Sequence, residues 1–163
     1  MKIISNTSPL VALAKINRLN LLPLVFTEIT IPKIVEKELL AKAGEEGEFL
    51  ESAFQSFIKV VKNPVIDNEL LEKISHLDKG EQSAIALAYF EKKNLLIDEK
   101  LGRNVALNMG INVIGFFTVL LRAKHLKIIS SVRSDLDSLR NKNYWIANSL
   151  YEKMLDLAQE SSS

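Results

Sequence analysis

A single α/β domain with a central parallel sheet is predicted by two observations. Short apolar, mostly β-branched runs at residues 3–4, 28–31, 57–61, 95–97 and 112–114 have the length and composition of strands buried on both faces. Between them lie segments of helical period at 9–16, 33–41, 48–56, 69–74, 81–92 and 101–109. That alternation implies five parallel strands joined by helices that cover both faces of the sheet.

Each element has a local reason. After Ile3-Ile4 come Ser5-Asn6-Thr7-Ser8 and Pro9, a proline suited to the first helical position, with Ser8 as its N-cap. The second run ends at Pro32, which opens the helix over 33–41, and residues 44–47 form a loop between two helices. Asp78-Lys79-Gly80-Glu81 makes a capping-box-like start for the helix over 81–92. The fourth run leads into Asp98, and Gly110 stops the helix that follows. Past Gly115 the pattern becomes helix upon helix, and residues 128–139 and 146–158 form an α-hairpin around Asn141-Lys142-Asn143. One domain is expected over residues 1–163, with disorder only at 161–163 and no internal repeat.

Composition narrows the function. Without cysteine there is no disulfide and no thiolate zinc site. The longest apolar run, residues 19–26, is broken by Asn20 and Pro23 and falls short of the ~20 residues of a membrane helix, so no membrane partner is expected. Met1-Lys2-Ile3-Ile4 has no signal-peptide pattern, and a cytoplasmic location is expected. A net charge of +1 provides no global positive field, so any nucleic-acid contact must come from a local cluster. Leu- and Ile-rich helices in residues 9–26 and in the C-terminal hairpin suggest a homodimer.

Ligands of open parallel sheets bind beyond the carboxyl ends of the strands. Asn6 and Asp98 each follow a strand directly and are placed at that edge. Glu38 sits inside the apolar stripe Ile34, Val35, Leu39, where a carboxylate needs a salt bridge, solvent at the stripe's edge, or a metal. Glu81 heads the stripe Ala84, Ile85, Ala88, and helix capping accounts for it as well as chemistry does. For Asp98 the rival is an N-cap. Each has a structural account alone; convergence of three carboxylates and an amide at one edge favours a site for a hard cation.

Taken in order, residues 3–10 (Ile-Ile-Ser-Asn-Thr-Ser-Pro-Leu), Ile31-Pro32 through Glu38-Leu39, Leu77-Asp78-Lys79-Gly80-Glu81 with residues 84–88, and Leu96-Ile97-Asp98-Glu99-Lys100 with Arg103 resemble the PIN domain. The resemblance spans nearly the whole chain, through Val113-Ile114-Gly115 and the last helices, and is closest to a compact branch related to the VapC toxins. It implies a three-layer α/β/α fold with a five-stranded, mostly parallel sheet. It also implies a Mg²⁺- or Mn²⁺-dependent ribonuclease whose catalytic and metal-binding positions fall on Asn6, Glu38, Glu81 and Asp98. In that chemistry carboxylates hold ions that activate water and stabilise charge on the phosphodiester.

The family's hydroxyl position falls on Thr7 or Ser8, and Lys100 and Arg103 are placed to bind RNA phosphates. Lys79 and the Arg122, Lys124, His125 group are further basic candidates with solvated surface charge as the rival reading. His76 and His125 lack ligand spacing, and Tyr144 and Trp145 are read as anchors of the C-terminal hairpin. Two positions depart from the family pattern. Asn6 stands where the family usually has Asp, and Phe116 where it often has a small hydroxyl residue. The first departure raises an alternative, a catalytically weak or inactive PIN-like domain that binds nucleic acid or protein. A toxin reading adds a small antitoxin partner. A phosphoacceptor receiver is disfavoured because Lys62-Asn63 replaces the Asp it needs, and a mononucleotide-binding domain because no Gly-rich turn follows the first strand.

Overall fold

A computed structural model of the protein describes residues 1–161. Strands β1 (Lys2–Ser5), β2 (Glu28–Pro32), β3 (Ile58–Val61), β4 (Asn94–Leu96) and β5 (Val113–Ile114) form one sheet in the order β3-β2-β1-β4-β5. All four pairings are parallel. The alternation of side chains along β1 divides the core, because Ile3 packs into one hydrophobic cluster and Ile4 into the other.

Helices α1 (Thr7–Lys15), α2 (Leu22–Val25), α3 (Lys33–Lys42), α4 (Gly47–Ser56), α8 (Phe116–His125), α9 (Val132–Asn141) and α10 (Asn148–Leu157) supply Ile3's side. Helices α5 (Asn68–Ile74), α6 (Lys79–Glu91) and α7 (Lys100–Asn108) supply Ile4's side. Leu95 and Ile97 join the second cluster and Leu96 the first. The result is the expected α/β/α layering.

Local differences have physical causes. The first helix starts at Thr7, two residues before Pro9, so Asn6 and not Ser8 occupies the N-cap position. Proline is tolerated anywhere in a first turn, where the missing N–H would have no partner. Asp78 caps α6 as expected, its Oδ1 accepting from the Glu81 N–H at 2.8 Å. A 3-10 turn (Leu19–Leu21) and α2 occupy the Leu-rich stretch in which helix was expected without bounds, and α9 begins at Val132, where Ser131 accepts from the Ser134 N–H. The expected disorder at 161–163 falls in part on Ser162 and Ser163, outside the described residues. The domain covers most of the leucines in residues 9–26 and the hairpin, leaving Leu24 and Leu157 the most exposed at 57% each.

The end of the chain is clamped. Glu160 accepts hydrogen bonds from the Val132 N–H (2.7 Å), the Arg133 N–H (3.2 Å) and the Ser131 hydroxyl (3.0 Å), and it pairs with Lys124 at 2.8 Å. A carboxylate at the amino end of α9 also complements the helix dipole. Burial pushes this carboxyl up, but Lys124 and the N–H donors outweigh it and hold it at about 2. Because the folded value lies below the ordinary 4.5, the clamp's contribution is complete above about pH 4.5 and is lost as pH falls toward 2. Glu160→Gln is expected to lower Tm at pH 7 by several degrees, at about 2–4 °C per kcal/mol for a chain of this size. The gap to the parent should close in melts run at progressively lower pH.

Candidate active site

The strand order places the crevice. Crossovers from β1 run toward β2 and β3, whereas β4 and β5 lie on β1's other side, so the sheet has its topological switch point between β1 and β4. Ser5 pairs with Leu96 in register, and the Asn6 N–H donates to the Leu96 carbonyl at 2.9 Å. Asn6 and Asp98 therefore leave neighbouring central strands at the same edge.

Neither side chain caps a helix, the rival role offered for Asp98. Asn6 is 3% exposed and sits at the N-cap position of α1, yet makes no capping hydrogen bond, and its buried Oδ1 has no partner. Asp98 is not an N-cap, because Glu99 holds that position for α7. Instead Asp98 Oδ1 accepts from the Phe116 N–H at 2.8 Å, which fixes the carboxylate and leaves the buried Oδ2 without a partner. Burial pushes the Asp98 carboxyl up, Phe116 N–H and Arg103 pull it back, and Glu99 adds to the rise.

Glu38 reaches the same edge from α3. Its Oε2 accepts from the Thr7 hydroxyl at 2.6 Å, next in sequence to Asn6. Glu38 also lies on the backbone of α6, since a Cβ at Gly80 would fall 2.5 Å from Oε2. Glu81, adjacent to Gly80, is 7% exposed. Burial raises its pKa first, the charge of Asp78 next, and those of Glu99 and Glu38 further, with the Asp78 backbone, from which the carboxylate accepts, opposing. A Cβ at Gly102 would lie 2.8 Å from Ile97 Cδ1 and 3.8 Å from the Glu81 carboxyl carbon. At Gly115 it would lie 3.0 Å from Asp98 Oδ1 and 3.5 Å from Arg103 Nη1. Each of the three carboxylates is thus approached by a glycine that has no side chain to obstruct it.

Asn6 and Asp98 share the strand edge, Glu38 joins it through Thr7, and Glu81 lies next to Gly80, which Glu38 approaches; the four do not close on one point. Among the described residues, no three Asp, Glu, His or Cys side chains stand close enough together to share a metal ion. The donor chemistry nonetheless suits a hard divalent cation, because every donor is oxygen and two buried oxygens, Asn6 Oδ1 and Asp98 Oδ2, lack partners. Beside Asp98 opens a cavity of about 620 Å³ lined by Thr7, Ser8 and Lys100, all predicted, and by Lys42, Glu99, Tyr144 and Trp145. Lys42 and the three glycines were not singled out from sequence. A glycine in the first turn of a helix next to an acidic residue marks Gly80 at most, and nothing local marks Lys42, Gly102 or Gly115.

Some expectations fail. Trp145 is no anchor of the hairpin, since it is 83% exposed, whereas Tyr144 does pack against the core. The Arg122, Lys124, His125 group is remote, because Arg122 contacts Met1 at the opposite end of β1 and Lys124 is bound to Glu160 and the Ala158 carbonyl. His76, His125 and Lys79 are exposed, in line with the surface readings of all three.

No curated protein matches the chain. Among solved structures it is similar to a PilT N-terminus domain protein from the hyperthermophilic archaeon Sulfolobus solfataricus P2, with 21% identity over 74% of this chain and 91% of that one. The TM-score of 0.49 makes this likeness too loose to bear on function. No helix among the described residues is long and apolar enough to cross a membrane. A family model described as a PIN domain matches residues 2–160. With only Met1 and residues 161–163 outside that match, the chain belongs to the PIN domain family, a nuclease-type superfamily.

Proposed function

We propose that this protein is a ribonuclease that hydrolyses RNA phosphodiester bonds with Mg²⁺ or Mn²⁺ as cofactor. The observation that carries the reading is the pair of partnerless buried oxygens, Asn6 Oδ1 and Asp98 Oδ2, at the carboxyl ends of adjacent central strands. Groups of this kind are costly unless a ligand satisfies them.

Asp98, Glu81, Glu38 and Asn6 are the residues that would hold the cation. When bound, such ions supply an activated water at neutral pH and neutralise charge on the phosphodiester. The remaining work belongs to the chain. The Phe116 N–H holds Asp98 in one orientation, and Thr7 does the same for Glu38. Lys100 at the cavity wall and Arg103 beside Asp98 supply positive charge for substrate phosphates, and Ser8 lines the same wall.

A second reading follows from Asn6. An amide keeps the shape and one oxygen but removes a charge, which suits a weakly catalytic domain that binds nucleic acid or protein. Within the ribonuclease reading, the toxin of a toxin–antitoxin pair would carry a small antitoxin protein as partner, and Leu24 and Leu157 would contribute to a homodimer. Co-purification with the product of an adjacent small gene tests the first, and light scattering the second.

Single-stranded RNA should be cut in Mn²⁺ or Mg²⁺ and left intact in EDTA. Asp98→Ala should lower the rate by roughly a hundredfold or more, the equivalent of about 2.7 kcal/mol. Intact RNA under both conditions, with binding retained, would favour the second reading. Asn6→Asp should tighten Mn²⁺ binding in calorimetry by roughly tenfold, about 1.4 kcal/mol, and raise cleavage. Unchanged affinity would remove Asn6 from the ligand set.

A stability measurement separates site from scaffold. Asp98→Asn keeps an acceptor for the Phe116 N–H but removes a buried charge, so in EDTA at pH 7 it should raise Tm by about 2–4 °C, as ~1 kcal/mol does at this size. A carboxyl with a raised folded pKa contributes fully when protonated and loses that contribution as pH rises through the folded value. The variant's advantage should therefore shrink as pH is lowered. Stabilisation by Mn²⁺, present in the parent, should be lost in the variant.

A further inference from the structure

We propose that Trp145 is a stacking platform that selects an unpaired base of single-stranded RNA beside the active site; this rests on the ribonuclease reading and adds the substrate class to it. At 83% exposure Trp145 contributes almost nothing to the core, an expensive use of the largest apolar side chain. Its neighbours in the chain are anchored. Tyr144 before it packs against the core and Ile146 after it is 5% exposed, so the indole faces solvent between two inward anchors.

The flanking backbone is pinned as well. The Tyr144 N–H donates to the Leu139 carbonyl at 3.0 Å, and Arg140 Nη2 donates to the Ile146 carbonyl at 3.0 Å while its guanidinium stacks on Tyr151 at 4.0 Å. An aromatic ring carried on an already ordered backbone has only its side-chain torsions left to order when it binds.

Its position supplies the occupant. The ring lines the same cavity as Asp98 and Thr7, with Lys42 and Lys100 on that wall to meet backbone phosphates. Cations that track a phosphodiester beside a free aromatic face are the recognition pattern of single strands. In an A-form duplex the bases are already stacked on one another and offer no face to an indole. The other exposed aromatics among the described residues, Phe49, Tyr89 and Phe90, border separate cavities that hold no residue of the site, so of these rings Trp145 alone shares a cavity with Asp98.

Trp145 is the chain's one tryptophan, so its emission reports this contact alone. The probe is an oligoribonucleotide of about ten unpaired nucleotides, titrated with Ca²⁺ present for binding and with Mn²⁺ for cleavage. Saturable quenching by the single strand, and none by the same sequence as a duplex, is expected. W145A should melt at the parent's temperature, weaken strand binding roughly tenfold or more, and raise KM with little change in kcat, whereas W145F should recover most of the binding. If the strand binds or is cut but the emission does not move and W145A behaves as the parent, stacking is overturned and the ribonuclease reading stands. If the parent neither binds nor cuts RNA, both fall. If emission shifts with protein concentration alone and W145A turns a dimer into a monomer, a second copy covers the ring and the proposal is overturned.

Discussion

The pairing of β1 with β4 is the constraint on which the rest of the molecule depends. These two strands are far apart in sequence, and their register, Ser5 on Leu96, puts the chain's exits from both strands side by side. The Asn6 N–H to Leu96 carbonyl bond extends the ladder one residue past the strand and fixes the level at which α1 begins. A shift of one residue would exchange the sides of Ile3 and Ile4, emptying both halves of the core at once. The edge that carries Asn6 and Asp98 is therefore as well determined as the core itself.

Burial without a partner does not by itself identify a functional group here. Asp135 Oδ2 and Thr30 Oγ1 are buried and partnerless as well. Asp135, however, has Arg18 at 3.0 Å, a cation that joins the end of α1 to α9 and offsets the burial of its carboxylate. Asp98 receives only a neutral N–H on one oxygen while Arg103 acts from further away. Thr30 lies inside β2, away from any strand end, and the structure supplies no account of its hydroxyl. Location at the switch point, combined with missing compensation, is what separates Asp98 from these two.

The fold was legible because its signals are local and repeated. β-branched runs flanked by helical periods mark each strand to within a residue or two, and Asp78 and Gly110 mark helix ends through chemistry visible in a few residues. Glu38 was legible for a different reason, since a carboxylate inside an apolar stripe is an anomaly that sequence can display. What escaped depends on contacts across the fold. Ser8 looks like a cap because Ser-Pro is a common helix start, and only the exit direction of β1 gives that position to Asn6. Trp145 looks like an anchor because it is large and apolar, and its outward direction follows from Tyr144 and Ile146 having taken the inward places. The glycines carry no signal of what they face.

Those glycines also shape how the protein can be made more robust. Replacing a helical glycine by alanine ordinarily stabilises by about 0.4–1 kcal/mol, because it narrows the unfolded ensemble. At Gly80 and Gly102 that gain is set against a displacement, since an added methyl would have to push aside the Glu38 carboxylate at 2.5 Å or Ile97 Cδ1 at 2.8 Å. Gly47 is different. It opens α4 with ordinary room for a methyl, 3.5 Å from Ala43 Cβ, and lies away from every carboxylate of the crevice. The molecule thus separates its glycines into those that may be traded for rigidity and those whose missing side chain is itself part of the crevice wall.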